Sequence, residues 1–447
     1  MKSIEQEVSG AILRMIRARR QPVSHAEADL ASAATGTITP AKLREARFSD
    51  FEAVAELKRR GGLNADSLEN WERLWRLNPA LAESGKKHPM GWVLEAEGAI
   101  VGYIGNILLR YRYGTATLTA ATAHGLVVDP PYRAVGISLV AAYFRQKDVD
   151  LFVSTSAIEA VGKIALAFKS SPLPQPDYDT ALFWVLMAHP FARALTQKLK
   201  LTSVQAKIGS VGATLVVGAD KIARRRRPRR TSTPFTVNEI AVADIGEDFR
   251  TLWREKLQEG SYLLADRTPE TLRWHFHIPG DRGWARVICC YRFEQLVGYA
   301  VIRTDTDEEN GLRTSVVADM VASQDNPEII RDLLAGAYHH ARHQGSHVLQ
   351  LLGFPPKIRK VASEWNPYRR KYPACPFYYK APDPALHKTL SDGSAWYASP
   401  FDGDATLIRP SYSSTRRPLR EVELKQEEDA SMRESSHVPI REHSEVV

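Results

Sequence analysis

The sequence predicts a mixed α/β protein of the α+β kind, built from two related units with mixed sheets. Three observations carry this. Residues 124–144, HGLVVDPPYRAVGISLVAAYF, read as a strand, a prolyl turn and a short loop that opens into a helix. Two stretches with hairpin character carry V-G-Y-I at 101–104 and V-G-Y-A at 297–300. The order of strand and helix signals from Ala41 to Phe168 is repeated in outline from Phe235 to Leu352.

Taken in order, residues 4–20 have helical spacing and lead into the Ala/Ser/Thr-rich ASAATGTITP, a loosely docked arm over 1–38. LREARFSDFEAVAELKRRGGL then gives a short strand, an N-cap at Ser49 or Asp50, and a helix that ends at Gly61-Gly62. The helix over 68–77 carries Trp71 and Trp75 on one side, a core face that also borders an acceptor site in a second reading. Trp92–Glu95 and Ile100–Leu109 form a hairpin turning at Glu97-Gly98. In the stretch that follows, Leu126, Val127 and Val128 are an apolar run that Asp129, Pro130 and Pro131 stop. From Ile137, the residues Leu139, Val140, Tyr143 and Phe144 recur at helical spacing. A strand at 150–155 and a helix at 157–168 complete the first series, and 181–201 reads as a closing strand and a helix.

The second series opens with a strand and helix over 235–260. A helix at Thr268-Pro269-Glu270 follows, with Thr as N-cap and Pro at its first position. The hairpin ARVICCYRFEQLVGYAVIR, a strand at 315–323, a helix over 327–342 and a strand at 348–352 come next. The residues after Arg409 are polar and of mixed charge, a composition that predicts disorder.

At 447 residues the chain is long enough for two or three domains. Its 25% charged and 44% hydrophobic content is that of a water-soluble globular protein. The net charge of +8 is concentrated: Lys221, Arg224, Arg225, Arg226, Arg227, Arg229 and Arg230 account for seven cations, leaving +1 for the rest. A solvated linker is one reading of this run; contact with an anionic membrane or nucleic acid is the other. The three cysteines have neither a disulfide framework nor metal-ligand spacing. Cys289 and Cys290 are expected in one strand, facing opposite sides. The charged start and the lack of a long uncharged apolar run place the chain in the cytoplasm.

Residues 126–138 resemble motif A of the GNAT superfamily of acyl-CoA-dependent N-acyltransferases, roughly L-x-V-x-P-x-Y-R-G-x-G-I-G. Leu126, Val128, Pro130, Tyr132, Arg133, Gly136 and Ile137 match it, and Ala134 and Ser138 replace two family glycines with small residues. The resemblance implies two tandem GNAT-like domains, over 39–210 and 236–409. They would flank an Arg-rich linker at 211–235, with an arm at 1–38 and a tail at 410–447. It implies acetyl-CoA or another acyl-CoA as co-substrate, with no metal. The diphosphate would lie on the amides of Val135, Gly136, Ile137 and Ser138, beside Arg133 and Ala134. A backbone N–H within Leu126, Val127 and Val128 would meet the thioester carbonyl. In the second unit ASQDNPEII lacks the pattern. There Asp325 and Glu328, beside Gln324, place acidic groups where a diphosphate would sit, so that unit is read as degenerate.

The transfer needs a base for the attacking amine and a proton for the leaving thiolate. No carboxylate lies on the strand before the loop, so His124 is the candidate base, imidazoles titrating near neutrality; Glu95 is its rival. The family's acid, a Tyr on the helix after the next strand, is missing. That helix offers Phe168, leaving Ser154, Ser156 or water. His339, His340, His343 and His347 lack a completing carboxylate or Cys at metal-binding spacing and read as a polar helix face. The expected function is N-acyl transfer, acetyl in the first instance, to the amine of a small molecule or amino sugar. The alternative is a non-catalytic acyl-CoA-binding or scaffold protein whose Arg-rich segment contacts membrane or nucleic acid.

Overall fold

The structure, a computed structural model, describes residues 39–198, 228, 234–278, 284–307 and 310–408. The expected arm, the cations at 221–230 and the tail lie outside these residues.

The first half supplies strands β1 (Lys42–Glu45), β2 (Gly91–Ala96), β3 (Ala99–Tyr113), β4 (Ala116–Val128), β5 (Leu151–Ser154), β6 (Ser171–Pro172) and β7 (Thr180–Val185). Its helices are α1 (Phe51–Arg60), α2 (Leu68–Trp75), α3 (Pro79–Ser84), α4 (Ile137–Phe144), α5 (Glu159–Ala167) and α6 (Ala188–Lys198). The hairpin turn between β2 and β3 has two residues, Glu97 (φ 50°) and Gly98 (φ 81°). Both are left-handed, as a type I′ connection requires. Side chains alternate across the sheet, so its two faces feed two separate cores. Trp71, Trp75, Tyr103, Ile107 and Ala120 pack on the α1/α2 side, and Ile104, Ala121, Leu139 and Val140 pack on the α4 side.

The second half repeats this with β8 (Phe235–Ala241), β9 (Leu263–Ala265), β10 (Ala285–Arg292), β11 (Gln295–Thr306), β12 (Arg313–Ala322), β13 (Val348–Leu351), β14 (Tyr368–Lys371) and β15 (Tyr378–Lys380). Its helices are α7 (Glu247–Gln258), α8 (Pro269–Phe276), α9 (Pro327–His343), α10 (Pro356–Ser363) and α11 (Pro384–Leu390). The two V-G-Y hairpins do the same work. A Cβ on Gly102 would lie 3.2 Å from Leu139 of α4, and one on Gly298 2.7 Å from Ile329 of α9, so each glycine lets the following helix press onto its sheet. Cys289 and Cys290 are buried on opposite faces of β10, as expected. Burial pushes the Cys289 thiol up to about 12.

The sheets are mixed, as expected, but they do not divide at the linker. The first has the order β1-β2-β3-β4-β5-β15-β6, and the second β14-β7-β13-β12-β11-β10-β8. Strand β7, from the first half, pairs with β13 (Val348 opposite Val185) and β14. Strand β15, from the second half, pairs with β5 (Tyr379 opposite Val153) and β6. Each half therefore lends one strand to the other. A cut at 211–235 would leave both sheets incomplete. Strand β9 adds a further bond between halves by pairing with the end of β3.

A buried ion network ties the last described segment to both. Arg267 is 1% exposed and donates to Asp319 on β12 at 3.0 and 3.1 Å and to Asp402 at 2.9 and 3.2 Å. Tyr299 and Ser399 donate to the same two Asp319 oxygens, each at 2.9 Å. Two residues on, Asp404 accepts from Thr155 N–H at 2.6 Å and from the hydroxyl of Ser156, at the end of β5. No described helix is long and apolar enough to cross a membrane.

The exchange makes a prediction. Residues 39–210 expressed alone keep an unpaired β7 and lack β15, so they should self-associate or fail to fold. Sedimentation and circular dichroism will show this, and a folded monomer would contradict the shared sheets.

Candidate active site

Strand β4 organises the site. Its parallel pairing with β5 covers only Ala120–Thr122, opposite Leu151–Val153. Beyond Thr122 it runs on to Val128 with, among the described residues, a partner strand on the β3 side alone. The sheet splits there. Within that free stretch the β3 register shifts: Gly105 faces His124, Tyr103 faces Val127, and Gly125 and Leu126 share the space of Ile104. This is a β-bulge, which leaves one main-chain group out of the ladder. Gly125 has φ +65°, which favours glycine, and a Cβ there would come within 2.7 Å of the Lys58 ammonium. In the second sheet β12 likewise pairs in parallel with β13 over Thr314–Val317, continues to Ala322, and shifts register beside Val301. Strand order, parallel central pair, split and bulge recur in both sheets. The fold is GNAT-like.

Solved structures of similar shape include a GCN5-related N-acetyltransferase from Anabaena variabilis ATCC 29413 (10% identity, 76% of this chain and 73% of that chain, TM-score 0.47). A conserved protein from Enterococcus faecalis V583, described as a probable N-acyltransferase, is another (9% identity, 77% and 72%, TM-score 0.49). A third is a GCN5-related N-acetyltransferase from Kribbella flavida (12% identity, 77% and 71%, TM-score 0.47). No protein-family model matches the sequence, and the search of curated proteins found no match.

In this GNAT-like frame His124 leaves β4 on the α1/α2 side. Its Nε2 lies 3.2 Å from Asp66 Oδ2, and Trp75 meets its ring edge-on at 6.2 Å. Asp66 sits in the loop between α1 and α2 and was not found from the sequence. Lys58 Nζ donates to its Oδ2 at 2.5 Å, and Asn70 Nδ2 donates to its Oδ1 at 2.6 Å. Burial alone would raise the Asp66 carboxyl, but His124 and Lys58 hold it well below the usual carboxylate range. Lys58 is itself 2% exposed and would be costly to bury without that carboxylate. Tyr103 adds a buried hydroxyl, beside Gly105, that has no hydrogen-bond partner among the described residues. One signal was available. Asp50-Phe51 is followed by Lys58 at the spacing that separates Asp248-Phe249 from Lys256, and both lysines are buried against acids. Both tryptophans of α2 are core residues, and Trp75 also borders His124.

Glu95 is not part of this group. Arg44 binds it at 2.5 Å on β2, near the edge strand β1. Phe168 stacks on Phe144 at 5.3 Å. Ser156 donates to Asp404, so the proton it would lend is already engaged. The histidine cluster parts company: His340 on α9 bonds Glu239 at 2.8 Å, and His347, beyond the end of that helix, accepts from the Arg313 N–H at 3.2 Å.

The loop after β4 corrects one expectation. The amides of Val135, Gly136 and Ser138 donate to Tyr132, to Tyr132 and Arg133, and to Val135, all at 3.0–3.2 Å, and the Ser138 hydroxyl bonds Val135 at 2.7 Å. A single-turn helix at Pro130–Tyr132 winds the chain into α4 and consumes them. The amides of Ala134 and Ile137 make no backbone bond among the described residues. Arg133, Ala134, Val135 and Ile137 are exposed, whereas Gly136 is buried against Val128.

The equivalent turn in the second half is closed differently. Gln324 N–H donates to Glu259 at 2.6 Å, and the Asn326 side chain caps Glu328 and Ile329. Asp325 is neutralised by Lys256 at 2.7 Å and Lys357 at 3.1 Å, with Tyr397 donating at 2.8 Å. The expected repulsion by Asp325 is thus offset by two lysines, and the turn's Gln324, Glu328 and Ile329 amides are already committed. A cavity of about 490 Å³ opens beside this turn, lined by Glu255, Gln258, Tyr262 and Lys357 among others.

Proposed function

We propose that the first half transfers an acyl group, acetyl in the first instance, from acyl-CoA to the amine of a small molecule such as an amino sugar. One observation carries this reading: a single strand bears His124 with its carboxylate partner, then the bulge at Gly125-Leu126, and ends in the Arg133 loop. The loop fits a diphosphate through the exposed Arg133 guanidinium and the unbonded amides of Ala134 and Ile137. The bulge at Gly125-Leu126 interrupts the ladder at the head of Leu126–Val128, where a backbone N–H is the donor we assign to the thioester oxygen. His124 accepts the proton as the amine nitrogen bonds the carbonyl carbon, the C–S bond breaks, and water protonates the thiolate. The second half binds no acyl-CoA in this way; it completes the first sheet and supports the site.

Titration calorimetry with acetyl-CoA tests the cofactor claim. A Cβ on Gly136 would lie 3.0 Å from Val128 and 3.2 Å from the Arg133 carbonyl, so Gly136→Glu puts bulk and negative charge into the loop. Wild type should bind and the variant should lose at least about tenfold in affinity, roughly 1.4 kcal/mol. No binding by wild type would remove the proposal. Binding without thiol release across an amine panel would favour the non-catalytic acyl-CoA-binding reading.

A further inference from the structure

The His124–Asp66 pair is not isolated. It ends a chain of directional hydrogen bonds that begins in the other half of the molecule. Arg73 on α2 donates to the Trp274 carbonyl at 2.9 Å and to the Leu407 carbonyl at 2.8 Å, both from the second half. Two further donors, on Nη2 and Nε, reach Asn70 Oδ1 at 2.8 and 3.0 Å. A guanidinium only donates and an ionised carboxylate only accepts, so the Asn70 amide can stand one way round: oxygen to Arg73, nitrogen to Asp66. Asp66 in turn presents Oδ2 to His124 Nε2. Since that oxygen has no proton to give, a neutral His124 must carry its own on Nε2. The Nδ1 lone pair is then the basic atom, and it has no partner among the described residues.

We infer that Asp66, Asn70 and Arg73 are positioning residues: anchored on the second half, they fix His124 as its Nε2–H tautomer with Nδ1 free to take a proton. This gives the second half a role in the reaction without a ligand of its own. Lys58 completes the arrangement by balancing the buried carboxylate from the α1 side. The charged or titratable groups packed around the imidazole are Asp66, Lys58 and the Tyr103 phenol; burial, with Asp66 and Asp50 adding to it, raises that phenol well above its ordinary value, so it stays protonated.

The kinetic half of this inference rests on the acyl-transfer reading; the tautomer half does not. With ¹⁵N-histidine-labelled protein, the resonances of His124, assigned by their loss in His124→Gln, should report one Nε2–H tautomer in wild type at the alkaline plateau of the titration, where the ring is neutral. Asp66→Asn should lose that preference and lower kcat on the order of 10²-fold with KM for acyl-CoA unchanged. Asn70→Ala should weaken both readouts in the same sense, and it carries the test if Asp66→Asn does not fold. A wild-type tautomer mixture, or an Asp66→Asn protein with tautomer and kcat intact, would overturn the relay. A fixed tautomer lost in Asp66→Asn, with no thiol release by wild type on any amine, would uphold the relay and sink the acyl-transfer reading alone.

Discussion

Replacing His124 by glutamine is expected to lower the turnover of acyl-CoA with an amine by about 10²–10⁴-fold, the usual worth of a positioned general base. Acetyl-CoA affinity should stay within a factor of two, because His124 lies on the α1/α2 face while the Arg133 loop lies beyond the far end of the strand. Glutamine keeps much of the ring's volume against Trp75 and can still hydrogen-bond Asp66, so the change isolates the proton-accepting atom. Steady-state thiol release and calorimetry on the same preparation decide the matter. Unchanged kcat would remove His124 from the mechanism and leave water or the amine itself as the base.

The largest expected effect on stability is at Arg267. Burial by itself would lower this guanidinium's pKa, yet Asp319 and Asp402 hold it well above its ordinary value. Arg267→Met removes five side-chain hydrogen bonds to Asp319, Asp402 and Ser399 and a sixth to the Ala265 carbonyl. Two carboxylates are left buried without a cation, a situation that costs about 3–5 kcal/mol. Guanidinium denaturation should show the midpoint fall with little change in slope. A loss below about 1 kcal/mol would mean that Asp319 and Asp402 simply take up protons at little cost.

Local order was written plainly in the sequence. The turn at Glu97-Gly98, the Thr268-Pro269 start of α8 and the strand–turn–helix at 126–144 each rest on neighbours a few residues apart. What the sequence did not disclose was partnership over distance. TALFWV at 180–185 reads as a strand in any sheet, and nothing in its alternation says that Val348 will face Val185. Asp66 lies in an irregular loop where no periodicity marks it, and only the fold brings it to His124. The loop amides failed for a related reason. Small residues at Gly136 and Ser138 permit an open anion cradle and a wound turn equally well, and Pro130-Pro131 tipped the chain to the wound turn.

The reciprocal loan of β7 and β15 has a consequence for biosynthesis. The first sheet's inner strands leave the ribosome long before β15, and at about 5–20 residues per second the wait is on the order of 10–40 s. Throughout it the edge of β5 is open, and for most of it, until β13 emerges, β7 has no partner. A nascent chain of this design must shelter two adhesive edges until its closing strand arrives.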